Sequence, residues 1–86
     1  MAKYSLRIKR SACKELDSVA TKADRQRIVK RIKALADDPR PAGAVKLSGL
    51  ERYRIRQGRY RILYTIEDKV LTVHVIKIGN RKDVYR

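Results

Sequence analysis

The chain has 86 residues and a formal charge of +14, with 23 lysines and arginines set against 9 acidic residues. That length holds one domain, residues 1–86, and a charge of this size calls for a polyanion or a strongly acidic protein as partner. His74 and Cys13, single copies of their kinds, leave no material for an internal disulfide or a His/Cys metal centre. No run nears the roughly 18 apolar residues of a membrane span, so a cytoplasmic protein without metal, cofactor or membrane contact is expected.

Residues 3–9 alternate, with Tyr4, Leu6 and Ile8 on one face and Ser5, Arg7 and Lys9 on the other, which is the period of a strand. Ser11 is the candidate cap of a helix over 11–19, with Ala12, Leu16 and Val19 as its apolar stripe and Cys13 as a small half-buried residue. Thr21, followed three residues later by Asp24, opens a second helix in a capping-box-like arrangement. Its apolar residues Ile28, Val29, Ile32, Leu35 and Ala36 recur at helical spacing until Asp37-Asp38-Pro39 ends the run. Residues 39–45, holding both prolines and Gly43, read as a loop.

Three strands follow, over 52–56, 59–66 and 70–78, the last two joined by Glu67-Asp68-Lys69. Turns this short force antiparallel pairing. The final strand is apolar on both faces and is expected at the centre of the sheet, with His74, between Val73 and Val75, in a structural role. Gly43, Gly49, Gly58 and Gly79 are too scattered for a phosphate-binding loop and read as turn positions. The expected fold is α+β, a two-helix hairpin packed on one face of a small antiparallel sheet in the order β-α-α-β-β-β.

Arg52, Arg54, Arg56, Arg59 and Arg61 crowd the first hairpin and alternate with Tyr53, Ile55, Tyr60 and Ile62. With Gln57 and Gly58 as a two-residue turn, Arg56 opposes Arg59 and Arg54 opposes Arg61, all on one side. Tyr53, Ile55, Tyr60, Ile62, Tyr64 and Ile66 then face the helices and the arginines face outward. Like charges placed opposite each other destabilise a sheet, so the arrangement points to a polyanion lying on that face.

The run Tyr53-Arg54-Ile55-Arg56, the run Gly58-Arg59-Tyr60-Arg61-Ile62-Leu63-Tyr64, and the ending Gly79-Asn80-Arg81-Lys82-Asp83-Val84-Tyr85-Arg86 resemble the RelE branch of the RelE/ParE toxin superfamily, over essentially the whole chain. The resemblance implies the toxin of a type II toxin–antitoxin pair. It also implies an endoribonuclease, an mRNA interferase that cleaves messenger RNA in the ribosomal A site and so inhibits translation. Arg54 and Arg56 match two basic positions at the scissile phosphate, lysines in many relatives. Arg61 matches the arginine that stabilises the transition state, Arg81 the basic residue near the leaving group, and Tyr85 the aromatic that stacks on a nucleobase. Arg52, Arg59, Lys82 and Arg86 are expected to track phosphates.

The implied cleavage is attack of the RNA 2′-hydroxyl on its own 3′ phosphate, so the protein supplies orientation and positive charge rather than a nucleophile. Guanidinium groups suit the gathering charge on the phosphate oxygens, and a tyrosine face suits a splayed base. Two residues depart from the family pattern. An arginine at 56 cannot act as a base where lysine can, and Asn80 stands where many relatives carry histidine or another basic residue. Glu51 and Asp83 are the nearby carboxylates; either could serve as a base, but beside so many arginines a salt-bridge role is the first expectation. The expected partners are an acidic, RelB-like antitoxin, the ribosome and mRNA, with operator DNA reached only through the antitoxin complex. Two other readings remain open: a ParE-type poison of DNA gyrase, and a noncatalytic basic module binding nucleic acid through phosphates.

Overall fold

A computed structural model describes residues 3–47 and 52–80. The elements are β1 (Ser5–Ile8), α1 (Arg10–Asp17), α2 (Lys22–Ala34), β2 (Val45–Lys46), β3 (Arg52–Gln57), β4 (Tyr60–Glu67), one turn of 3₁₀ helix (Asp68–Val70) and β5 (Thr72–Asn80). They form a five-stranded sheet in the order β1-β5-β4-β3-β2, with the helical hairpin on one face. The α+β expectation is met in layer and element order. Two details differ: β1 pairs parallel with β5, and a two-residue strand, β2, lies within and beyond the end of the expected loop. Parallel pairing is possible because the chain between β1 and β5 is a long crossover rather than a tight turn. Two residues are too few to display a period of two.

The core is the helix-facing side of the sheet against the two helices. Ala12, Ile28, Ile55, Ile62, Tyr64, Val73 and Val75 are fully buried there, with Val19, Ile32, Leu35 and Ile78 nearly so. Tyr4, Leu6, Leu16, Tyr53, Tyr60 and Ile66 close its margin. The inward set expected for the arginine hairpin is therefore the observed one. Ile8, expected on the inner face of β1, is 37% exposed because it lies at the strand's end.

Helix α1 begins at Arg10, one residue before the expected cap. Lys9 still belongs to the parallel ladder, donating its N–H to the Val75 carbonyl at 2.9 Å, so the helix starts immediately after it and Ser11 falls within the first turn. Cys13 is exposed rather than half-buried. At α2 the cap is as expected, with Thr21 Oγ1 accepting the Asp24 N–H at 3.1 Å. The Asp24 carboxylate sits 3.5 Å from Arg27 one turn on. Helix α2 ends at Ala34, and the Asp37 and Asp38 amides fold back onto the Ala34 carbonyl. Among the described residues no helix is long and apolar enough to cross a membrane.

The hairpin register is shifted by two from the expected one. Gln57 pairs with Tyr60 and Arg56 with Arg61, so the loop is Gly58-Arg59, not Gln57-Gly58. Gly58 has φ +61°, the positive angle that the first central residue of a type II′ turn requires, and this places glycine first in the loop. A shift of two preserves faces. Arg54 consequently pairs with Leu63 rather than Arg61, and the opposed like charges are Arg56 and Arg61. Strand β5 starts at Thr72, later than expected, because the chain first coils through Asp68–Val70 and reverses at Leu71 with φ 47°.

Candidate functional site

The face of the sheet opposite the helices carries the arginines, and β3 and β4 set their spacing. Arg52 is exposed, Arg54 half-buried and Arg56 exposed along β3, with Arg59 exposed in the turn. Arg61 stands on the expected face but is only 1% exposed, so the expectation of a solvent-open arginine there is corrected. Its strand is interior to the sheet, and Arg61 is bracketed by Arg56 on β3 and by Gly79 on β5. The long side chain is enclosed among neighbours instead of extending into water. Enclosing a guanidinium is costly unless opposite charge or hydrogen bonds surround it, and the like-charged Arg56 directly across adds to that cost.

The structure thus brings together Arg54, Arg56 and Arg61 from the expected set. Arg81, Lys82, Tyr85 and Arg86 lie outside the described residues, as do Glu51 and Asp83. Asn80 closes β5 opposite Tyr60.

Arg31 of α2 was not foreseen. With Gly43, Val45, Arg54 and Arg56 it lines a groove of about 310 Å³ beside the arginine pair. Nothing in the sequence separates Arg31 from Arg25, Arg27, Lys30 and Lys33, its basic neighbours on the same helix.

A second cluster braces the loop that walls this groove. Arg40 holds Asp68 with two hydrogen bonds, 2.9 and 3.2 Å, and also donates to the Tyr53 hydroxyl at 3.2 Å. Its guanidinium lies 5.4 Å from the centre of the Tyr53 ring, and that ring stacks on Tyr64 at 5.8 Å. Tyr4 donates to Asp68 at 2.7 Å, and the buried Tyr64 hydroxyl donates to the Pro39 carbonyl at 2.7 Å. The Arg40 hydrogen bonds, then that of Tyr4, draw the Asp68 carboxyl down to about 2. Burial pushes the Tyr64 hydroxyl up to about 12. The hydrogen bond to Asp68 raises the Tyr4 hydroxyl.

Further along the open face, His74 Nε2 lies 2.9 Å from Glu67 Oε1. At the β5 edge, beyond the end of β1, Glu15 of α1 accepts the Ile78 N–H at 3.0 Å and the Lys77 ammonium at 3.1 Å. The carboxylate thus serves where the neighbouring strand has run out. No sequence signal marks that long-range partnership.

Comparison with known proteins places this frame. The archaeal RelE of the RelE–RelB complex from Pyrococcus horikoshii superposes with a TM-score of 0.83 at 28% identity, covering 98% of this chain and all of that one. The isolated RelE toxin of E. coli superposes at 0.78, also at 28% identity, over 90% of this chain and 83% of that one. The fold is therefore that of a RelE-type toxin. A protein of Escherichia coli described as a RelE-like toxin is 30% identical over 96% of this chain and 90% of its own length. The family model for the ParE toxin of type II toxin–antitoxin systems matches residues 6–85. The chain belongs to the RelE/ParE superfamily of type II toxin–antitoxin toxins.

Proposed function

We propose that the protein is a ribosome-dependent endoribonuclease that cuts mRNA in the ribosomal A site and is neutralised by an acidic antitoxin. The observation that carries the reading is the Arg56–Arg61 pair, with Arg61 enclosed at 1% exposure and Arg54 on the same face. Charge concentrated this way suits a phosphate whose oxygens gain charge in the transition state, and an enclosed guanidinium acts through a lower dielectric than an exposed one. In this reading Arg56 holds the non-bridging oxygens, Arg61 adds its charge from beneath, Arg54 orients the strand, and Arg81 and Tyr85 complete the site at the leaving group and the base. Arg52, Arg59, Lys82 and Arg86 guide the phosphates on either side.

An antitoxin also has a surface to occupy. Leu16 and Val29 line a groove of about 540 Å³ between the helices, whose rim carries four basic residues, Lys22, Arg25, Lys30 and Lys33, beside Asp17 and Gln26, a net positive rim that suits an acidic amphipathic segment. The RelE relatives cited above include one solved with RelB.

The test is primer extension on a defined mRNA in a reconstituted translation mixture, with and without ribosomes, for the wild type and Arg61→Ala. Expected are A-site cuts that need ribosomes and that weaken about 10²–10³-fold in the variant, with circular dichroism unchanged. Intact mRNA with the wild type would sink the reading. The ParE family match gives the gyrase-poison reading its own support, and inhibition of DNA gyrase with mRNA left whole would establish it instead.

A further inference from the structure

We propose that Arg31, brought over from α2, belongs to a phosphate subsite that holds a backbone phosphate of single-stranded RNA next to the one bound at Arg56 and Arg61. Its place beside a cleaved phosphate rests on the endoribonuclease reading, whereas the anion site itself rests on the groove. Three segments that are distant in sequence converge there: Arg31 from α2, Gly43 and Val45 from the loop and the β2 strand it leads into, and Arg54 with Arg56 from β3. Three of the five lining residues carry guanidinium groups. Among the described residues, no hydrogen bond or ion pair joins Arg31 or Arg56 to a carboxylate. Arg31 is half-buried, and a charged group that gives up part of its hydration normally gains a partner. Here an anion from solution is the partner that fits.

The wall that Arg31 leans on is built in advance. A Cβ added at Gly43 would sit 3.9 Å from Arg31 Nη2, and Gly43 has φ +91°, a conformation that glycine adopts without strain. The loop carrying it is pinned by the Tyr64 bond to Pro39 at 2.7 Å, by the Ala44 N–H bond to Pro41 at 3.0 Å and by Arg40 on Asp68. A preformed site binds without first having to order its own chain. The groove exceeds what a lone ion fills and admits a phosphodiester with part of its sugar, for which Val45, 44% exposed, offers an apolar rest. Arg54, which opens into the groove, is two residues from Arg56, or about 7 Å along the strand, a spacing comparable to one nucleotide step.

The probe is a trinucleotide RNA carrying 2′-O-methyl groups throughout, which blocks self-cleavage. Its binding to the whole protein is measured across a series of salt concentrations, for wild type, Arg31→Ala and Arg31→Lys, with thermal melts as the check on folding. Loss of one charge-assisted phosphate contact is expected to weaken Arg31→Ala binding about tenfold. It should also flatten the plot of log affinity against log salt by about 0.7. Arg31→Lys should regain the slope without the full affinity, since lysine keeps the charge and loses the planar fork. Unchanged affinity and slope in Arg31→Ala would overturn the proposal, as would weaker binding with an unchanged slope, which marks a packing role. Failure of the wild type to bind the trinucleotide would also overturn it. If Arg31→Ala spares RNA binding but weakens binding of a short polyglutamate peptide, the groove serves an acidic protein and the RNA subsite falls. If Arg31 behaves as expected while wild-type protein leaves mRNA whole on ribosomes, the subsite stands and the endoribonuclease reading fails.

Discussion

Tyr64→Phe removes one oxygen atom from the centre of the molecule and tests how the groove wall is held. The Tyr64 ring is fully buried, and its hydroxyl donates to the Pro39 carbonyl at 2.7 Å. Deleting it loses a hydrogen bond and leaves that carbonyl without its donor, which together cost about 1–2 kcal/mol. For a domain of this size the melting temperature should fall by roughly 5–15 °C. Alkaline pH supplies a second, independent reading. Burial holds the folded hydroxyl's proton up to about pH 12, against the ordinary tyrosine value of 10.0. Between those values the unfolded chain binds fewer protons than the folded one, so this group's stabilisation is complete below pH 10 and drains away as pH rises through 12. The loss amounts to about 2–3 kcal/mol at most. The variant lacks this ionisation, so its disadvantage should shrink above pH 10 and vanish near pH 11. Urea unfolding of both proteins across pH 7–12 measures this. Equal stability at pH 7, or curves that stay parallel to pH 12, would refute the account of the loop's anchoring.

Asp68 should give the opposite pH signature. Arg40 first and Tyr4 second hold its carboxyl at about 2, against the ordinary aspartate value of 3.8, so its stabilisation is present above 3.8 and lost as pH falls towards 2. Wild-type melting temperature should therefore drop across this window by more than that of Asp68→Asn, and matching profiles by circular dichroism would contradict the clamp. Glu15→Ala should expose the unsupported stretch of β5, with the Ile78 amide exchanging with deuterium about tenfold faster. Glu15→Gln, which keeps an acceptor, should change less, and unaltered exchange in both would count against Glu15 as the edge cap. Arg56→Lys introduces a group that can lose its proton, which the like charge of Arg61 opposite favours. Cleavage by this variant should rise with pH where the wild type's does not, and superimposable pH–rate profiles would argue against this position facing the nucleophile.

What the sequence revealed and what it concealed divide along physical lines. Period-two alternation sorted Tyr53, Ile55, Tyr60, Ile62, Tyr64 and Ile66 from the arginines, and this survived a wrong register because a slip of two keeps every side chain on its face. Capping chemistry located the start of α2 at Thr21 because the signal is local. The start of α1 was misplaced because a long-range strand ladder, not a side-chain cap, decides it. Arg61 showed its direction but not its burial, since alternation says which face a side chain joins and nothing of what encloses it. Arg31, Arg40 with Asp68, and Glu15 with Ile78 were invisible for one reason: each is a contact between segments that only the folded chain brings together.

The open face also constrains how protons would move in the proposed reaction. His74 is the chain's one imidazole and shares the face with the arginines, so it is the natural first choice for an acid or base. The register argues against it. His74 pairs with Thr65, and Thr65 is four residues from Arg61 on the same strand, about 13 Å at ordinary strand rise. A group that transfers a proton at a phosphate held by Arg61 must come within hydrogen-bond reach of the reacting oxygens, directly or through one water. His74 is several times too far, and it is already engaged by Glu67. Asp68 is held by Arg40 and Tyr4 in a structural clamp. In the proposed reaction, what the described residues around Arg56 and Arg61 would offer is concentrated charge. If the proposed cleavage holds, these residues would contribute mainly by placing the 2′-hydroxyl in line on a substrate aligned by the ribosome, rather than by supplying a strong base.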